Sequence, residues 1–163
     1  MIDPVFLLVL FTTVGVAIIS GLLFTFSNFA MTAFGGLPSE QGISAMQAIN
    51  VKIINPVFLL VFAGSGLGSI ALSVVAITNW PVEGMKWILA GALLYLIGCI
   101  LVTARFNVPL NDRLAAVHPT DPSSETIWRD YIHNWLPWNH LRTMASSAAV
   151  AAFAVGLAEM GWG

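Results

Sequence analysis

Four stretches of this chain, Val5 to Phe26, Val57 to Ile77, Trp87 to Ala104 and Met144 to Met160, carry no Asp, Glu, Lys or Arg until their very ends. A hydrocarbon core about 30 Å thick takes roughly 20 consecutive apolar residues as a helix. In lipid the backbone must satisfy its own hydrogen bonds, so runs of this length are helical. The pattern predicts an all-α membrane protein, a four-transmembrane-helix bundle. Of the 163 residues, 58% are hydrophobic and 9% charged, against about 25% charged in an ordinary soluble domain. Four such helices leave no room for a second core, so residues 1–163 are expected to form a single four-helix transmembrane domain. The opening Met1-Ile2-Asp3-Pro4 has no positive n-region, which makes the first run a retained span and not a signal peptide.

A net charge of -2 with no basic run gives no electrostatic footprint for nucleic acid. The lone cysteine, Cys99, rules out an internal disulfide and any multi-cysteine metal site. Basic residues are unevenly placed. Lys52, Arg105, Arg113, Arg129 and Arg142 flank the first and third connections, and Lys86 alone lies in the second. The positive-inside rule then puts the first and third connections in the cytoplasm and the termini outside, in a bacterial inner membrane or its equivalent.

The connections differ in content. From Thr78 to Met85 the outer link is short, with Asn79-Trp80-Pro81 as a turn. Ser39 can cap a helix whose Ile43, Met46, Ile49 and Ile53 share one face, as an interfacial amphipathic helix would. The third connection, Asn107 to Arg142, is the longest, with a turn at His118-Pro119-Thr120-Asp121-Pro122 and a helix expected from Ser124 to Trp135. Pro137 is expected to end or kink that helix. Gly64 and Gly68 in the second span, and Ala145, Ala149, Ala152 and Gly156 in the fourth, offer faces smooth enough for close packing.

Amide and basic side chains gather at the cytoplasmic ends of all four spans. Asn28 ends the first; Gln47, Asn50 and Asn55 precede the second; Arg105, Asn107 and Asn111 follow the third; Asn139, His140 and Arg142 precede the fourth. Any one Asn reads most plainly as a helix cap. The set at one depth, with Trp138 among it, reads as a small-molecule site, because polar groups near hydrocarbon usually face a cavity or the bundle interior. His140 is the candidate base, since histidine exchanges protons near neutrality; His118 and His133 read as surface residues. If a metal were bound, His140 and His133 would be its candidate ligands, but seven residues advance about 10 Å along a helix, so both reach one ion only if Pro137 folds the chain back. No cofactor is expected, with a metal, or haem on His140, left open.

Phe26-Ser27-Asn28-Phe29, Ala45-Met46-Gln47-Ala48-Ile49-Asn50, Asn55-Pro56-Val57-Phe58, Phe106-Asn107-Val108-Pro109-Leu110-Asn111 and Trp135-Leu136-Pro137-Trp138-Asn139-His140-Leu141-Arg142 run in order along the chain. In that series it resembles the anthrone oxygenase-like membrane family. The resemblance implies oxidation of an apolar polycyclic, anthrone-type substrate of polyketide pathways by O2. On it, His140 would take the proton from the central methylene carbon and Arg142, beside Asn139 and with Asn50 or Asn107, would stabilise the oxyanion. Phe26, Phe29, Phe34, Trp135 and Trp138 are candidates to stack on a flat substrate, although interfacial aromatics are more often anchors. Expected partners are that substrate, O2, membrane lipids, and a homo-oligomer or larger membrane complex. The competing expectation is a non-catalytic accessory subunit or a lipid-binding or small-molecule-binding protein; a transporter is third.

Overall fold

A computed structural model describes residues 3–161; Met1, Ile2 and the last two residues of the expected domain lie outside the described residues. Helix α1 (Pro4–Thr25) starts where Asp3 accepts a hydrogen bond from the Val5 amide at 2.8 Å, with proline in the first turn. It passes through a π turn, Phe26–Ala30, into α2 (Met31–Gly35). Then come α3 (Ser39–Lys52) and α4 (Pro56–Thr78). Helix α5 (Met85–Tyr95) continues through two π segments, Leu96–Leu101 and Thr103–Asn107, into α6 (Val108–Ala115), and α7 (Ser124–Gly161) closes the chain. No strand occurs among the described residues.

Four helices are long and apolar enough to cross a membrane: Pro4–Gly35, Pro56–Thr78, Met85–Ala115 and Ser124–Gly161. Helix α1 packs on α4 and α7, and α5 packs on the same two. Their shared core holds Val9, Val16, Leu72, Ile88, Tyr95 and Phe153. Large apolar side chains also face outward, with Phe11 70%, Leu60 74% and Leu67 68% exposed, which hydrocarbon accommodates and water would not. The small residues make the close approaches. A Cβ at Gly68 would run into Thr12 of α1, and one at Gly156 into Ile88 of α5. Gly64, in contrast, faces open space, so the Gly64–Gly68 pair does not act as one packing face.

Three of these helices are longer than a bilayer needs. At 1.5 Å per residue the 38 residues of α7 span about 57 Å, nearly twice the hydrocarbon thickness. The excess of α1–α2, of α5–α6 and of α7 lies at one end of the molecule, where Met31, Ile43, Met46, Leu114, Trp128, Tyr131 and Trp135 form a second core. An amphipathic α3 and a helical third connection were both expected, and both are present. The apolar face of α3 meets protein at Ile43 and Met46, both buried, while Val51 and Ile54 just beyond stay 71% and 63% exposed. The long third connection is mostly helix, and only residues 116–123 between α6 and α7 are not. Nor does Pro137 end the helix. The carbonyl it leaves without a donor belongs to His133, an exposed residue, while Trp135 and Asn139 on either side are buried in contacts that carry α7 on past it.

Candidate functional site

Where α7 passes from one core to the other, it turns Trp135, Asn139, Arg142, Thr143 and Ser146 inward. These positions recur every three or four residues, so a single helix face carries them. Asn139 is fixed first. Its Nδ2 donates to the Leu23 carbonyl at 2.9 Å and to Ser27 Oγ at 2.8 Å, both at the junction of α1 with its π turn. Thr143 donates to the Asn139 carbonyl and pairs with Ser27 at 3.0 Å, which closes a small ring of hydroxyls between α1 and α7. With its amide nitrogen spoken for, Asn139 presents Oδ1 to the Arg142 guanidinium, which donates to it through Nη2 at 2.6 Å.

Arg142 is only 6% exposed. Its Nη1 donates to Thr103 Oγ1 at 3.1 Å across the seam to the second π segment, and its guanidinium carbon lies 5.3 Å from the centre of the Trp135 ring. Its Nε has no partner, and among the described residues no carboxylate pairs with it: the ion pairs are Lys86 with Glu159 and Arg129 with Glu125. A buried charge normally carries a counter-charge, because desolvating an ion costs several kcal/mol. Neutral oxygens and an aromatic face stand in for one here.

Below Arg142, Trp135 is held as a plate. Its Nε1 donates to Asn111 Oδ1 at 2.9 Å, an oxygen shared with the Tyr131 hydroxyl at 2.8 Å. Asn107, 1% exposed, donates to the Trp135 carbonyl at 3.3 Å and leaves its own Oδ1 unpartnered. Asn50 Nδ2 on α3 is unpartnered too. At the outer edge Trp138 and Phe106, both half-buried, stack face to face with ring centres 3.6 Å apart.

The structure thus brings Asn107, Asn111, Asn139 and Arg142 into one seam, with Asn50 beside Tyr131 at its foot and Trp138 at its rim, and separates the rest. Gln47 ties α3 to the end of α6 by donating to the Leu114 and Val117 carbonyls, each at 2.9 Å. Asn55 caps α4, accepting from the Val57 and Phe58 amides. Asn28 is exposed. So is His140, which the expectation put beside Arg142: two residues along a helix is about 160° around it, and the imidazole points out of the opposite side of α7. His133 is exposed as well and lies two turns from His140 on an unbroken helix, so the two do not meet. Among the described residues no three His, Cys, Asp or Glu side chains gather to hold an ion.

Ser27, Thr103, Thr143 and Phe106 belong to the seam without having been named as site residues from the sequence, although Ser27 and Phe106 stand in the quoted motifs. A hydroxyl inside an apolar helix most often bonds back to its own backbone, as Thr13 and Ser73 do here. For Thr103, Phe106 and Thr143 the available signal was depth, since each lies within four residues of Asn107 or Arg142; Ser27 had none but its place beside Asn28. A family model described as Anthrone oxygenase matches residues 55–152, a range that takes in every seam residue on α5, α6 and α7. No curated protein and no solved structure matches the chain.

Proposed function

The chain belongs to the anthrone oxygenase family, and on that premise we propose that the seam around Arg142 is the site of an oxygenase-type reaction on an apolar, anthrone-like polycycle. The observation that carries this reading is the buried guanidinium without a carboxylate. Such a group favours any ligand that brings negative charge to it. An anthrone does so when its central methylene loses a proton, because the resulting anion is fully aromatic and holds much of its charge on oxygen. Arg142 would bind that oxyanion more tightly than the neutral ketone, which lowers the barrier to proton loss by differential binding.

The electron-rich carbon then reacts with O2. A carbon–oxygen bond forms, the peroxide anion takes up a proton, and loss of the second C–H hydrogen with cleavage of the O–O bond releases water and leaves a second carbonyl. One O2 is consumed and one water released per quinone formed. Asn139 and Thr103 act as positioning residues that hold Arg142 in register, and Trp135 supplies the plate beneath it. His140 is not the first proton acceptor in this mechanism, because it lies on the far side of α7; the first proton leaves to solvent.

The test is oxygen uptake by detergent-purified protein on addition of an anthrone. Wild type should consume one O2 per quinone, Arg142→Met should lose about 10²–10³ of the rate, and His140→Ala should stay within about threefold, less than a single general base contributes. No uptake by the wild type would overturn the reading, and a larger partner recovered in fixed stoichiometry would then favour an accessory subunit.

A further inference from the structure

The outer wall of the seam has a geometry found nowhere else among the described aromatic pairs. Phe106 and Trp138 lie parallel, 6° between planes, with centres 3.6 Å apart; the other pairs are 5.3 to 6.4 Å apart. A directly overlaid sandwich is not the arrangement aromatic quadrupoles prefer. Neither ring belongs to either hydrophobic core, so parting them disrupts neither. Phe106 rides on the π segment Thr103–Asn107, a kind of turn that concentrates at functional sites.

The unsatisfied groups lie on the same two segments as the pair. Trp138 is one helical turn from Arg142, and Phe106 sits between Thr103 and Asn107 on the facing segment. The Arg142–Thr103 bond and the Asn107–Trp135 bond cross the seam on either side of it. Arg142 Nε and Asn107 Oδ1 are both buried and both without a partner. A ligand admitted past the two rings enters the stretch of seam that holds a cationic donor and an amide acceptor.

We propose that Phe106 and Trp138 form an aromatic gate that admits a flat polycycle to Arg142 and rejects a puckered one. A fused tricyclic plate is wide enough to lie offset on both rings at once, so entry exchanges one overlaid contact for two offset ones. A saturated ring system of the same carbon skeleton is too thick to slide between them and gains no stacking. The gate deepens the oxygenase reading and rests on it for the identity of the ligand, but its test needs no turnover.

Binding of 9,10-anthraquinone, flat and already oxidised, is followed by saturable quenching of tryptophan emission in the detergent-solubilised full chain. Wild type should bind it and perhydroanthracene should fail to compete. Phe106→Leu and Trp138→Leu, which keep apolar bulk but lose the stack, should each weaken binding about tenfold; Phe106→Tyr and Trp138→Phe should restore it to within about threefold. In turnover the Leu variants should raise KM with kcat little changed. Unchanged affinity in both Leu variants, or equal competition by perhydroanthracene, overturns the gate. Stack-dependent binding with no oxygen uptake keeps the gate and discards the oxygenase reading; uptake with stack-independent binding does the reverse.

Discussion

At the scale of single residues, Arg142 and Asn139 have opposite relations to stability. Arg142 is a buried cation held by neutral groups, and removing such a charge in favour of an unbranched apolar side chain is often neutral or stabilising. Arg142→Met also strands Asn139 Oδ1, which offsets part of that gain, so the thermal midpoint is expected to move little while turnover falls about 10²–10³-fold; a large fall in the midpoint would mean that the guanidinium is structural. Asn139→Ala should do the reverse in folding terms. It strips the donor from the Leu23 carbonyl and from Ser27 and the acceptor from Arg142, and leaving buried polar groups unpaired costs about 1–3 kcal/mol each. Denaturant unfolding in detergent reads both. The polar members of the seam were visible in the sequence as outliers in apolar helices. Which of two near neighbours faced inward was not, because helix phase decides it: Arg142 points in and His140 out.

At the scale of elements, α7 is the spine. It threads both cores and carries proline at position 137 on an exposed face. Pro137→Ala would return an amide donor to the His133 carbonyl and is expected to raise stability, up to the ~3 kcal/mol that an interior proline costs. A lower thermal midpoint would show that the native helix needs the proline's geometry. Helix α3 reaches α7 through Gly42, where an added Cβ would meet the Trp128 ring at 2.7 to 2.9 Å. Gly42→Leu should lift α3 away from Trp128 and open residues 39–52 to limited proteolysis, with the four long helices intact; an unchanged cleavage pattern would argue against this docking. The hydrophobic spacing of α3 announced its amphipathic character. The destination of Ile43 and Met46, protein and not lipid, depended on how far α7 and α6 extend.

At the scale of the whole molecule, the two cores divide the chain into an apolar end and an end that carries nearly all of its exposed positive charge. Arg142 leaves the surface census because it is buried. Lys52, Arg105, Arg113 and Arg129 remain exposed toward the second core, against Lys86 at the opposite end. The positive-inside rule then predicts that the second core faces the cytoplasm. The only cysteine, Cys99, is buried and should stay silent toward a membrane-impermeant maleimide. In intact cells Glu83→Cys should label and Asp121→Cys should not until the membrane is permeabilised. The opposite pattern would invert the molecule.

The sequence by itself determined the number of long helices and the level at which polar groups collect. Both follow from local runs of apolar residues, and lipid leaves an isolated run no alternative to helix. Tertiary structure alone decided which polar groups meet. Each residue turns a helix by about 100°, so neighbours in sequence diverge in space, and π segments within the first and third spans, at 26–30, 96–101 and 103–107, alter that phase where α1 and α5 face Asn139 and Arg142. Asn55 was drawn off to cap α4 and Gln47 to bind the end of α6, because free carbonyls and amides at helix ends must be satisfied first. What the packing left unsatisfied, Arg142 Nε and Asn107 Oδ1 on two segments joined by stacked rings, depends on contacts between segments far apart in the chain, and no local pattern encodes it.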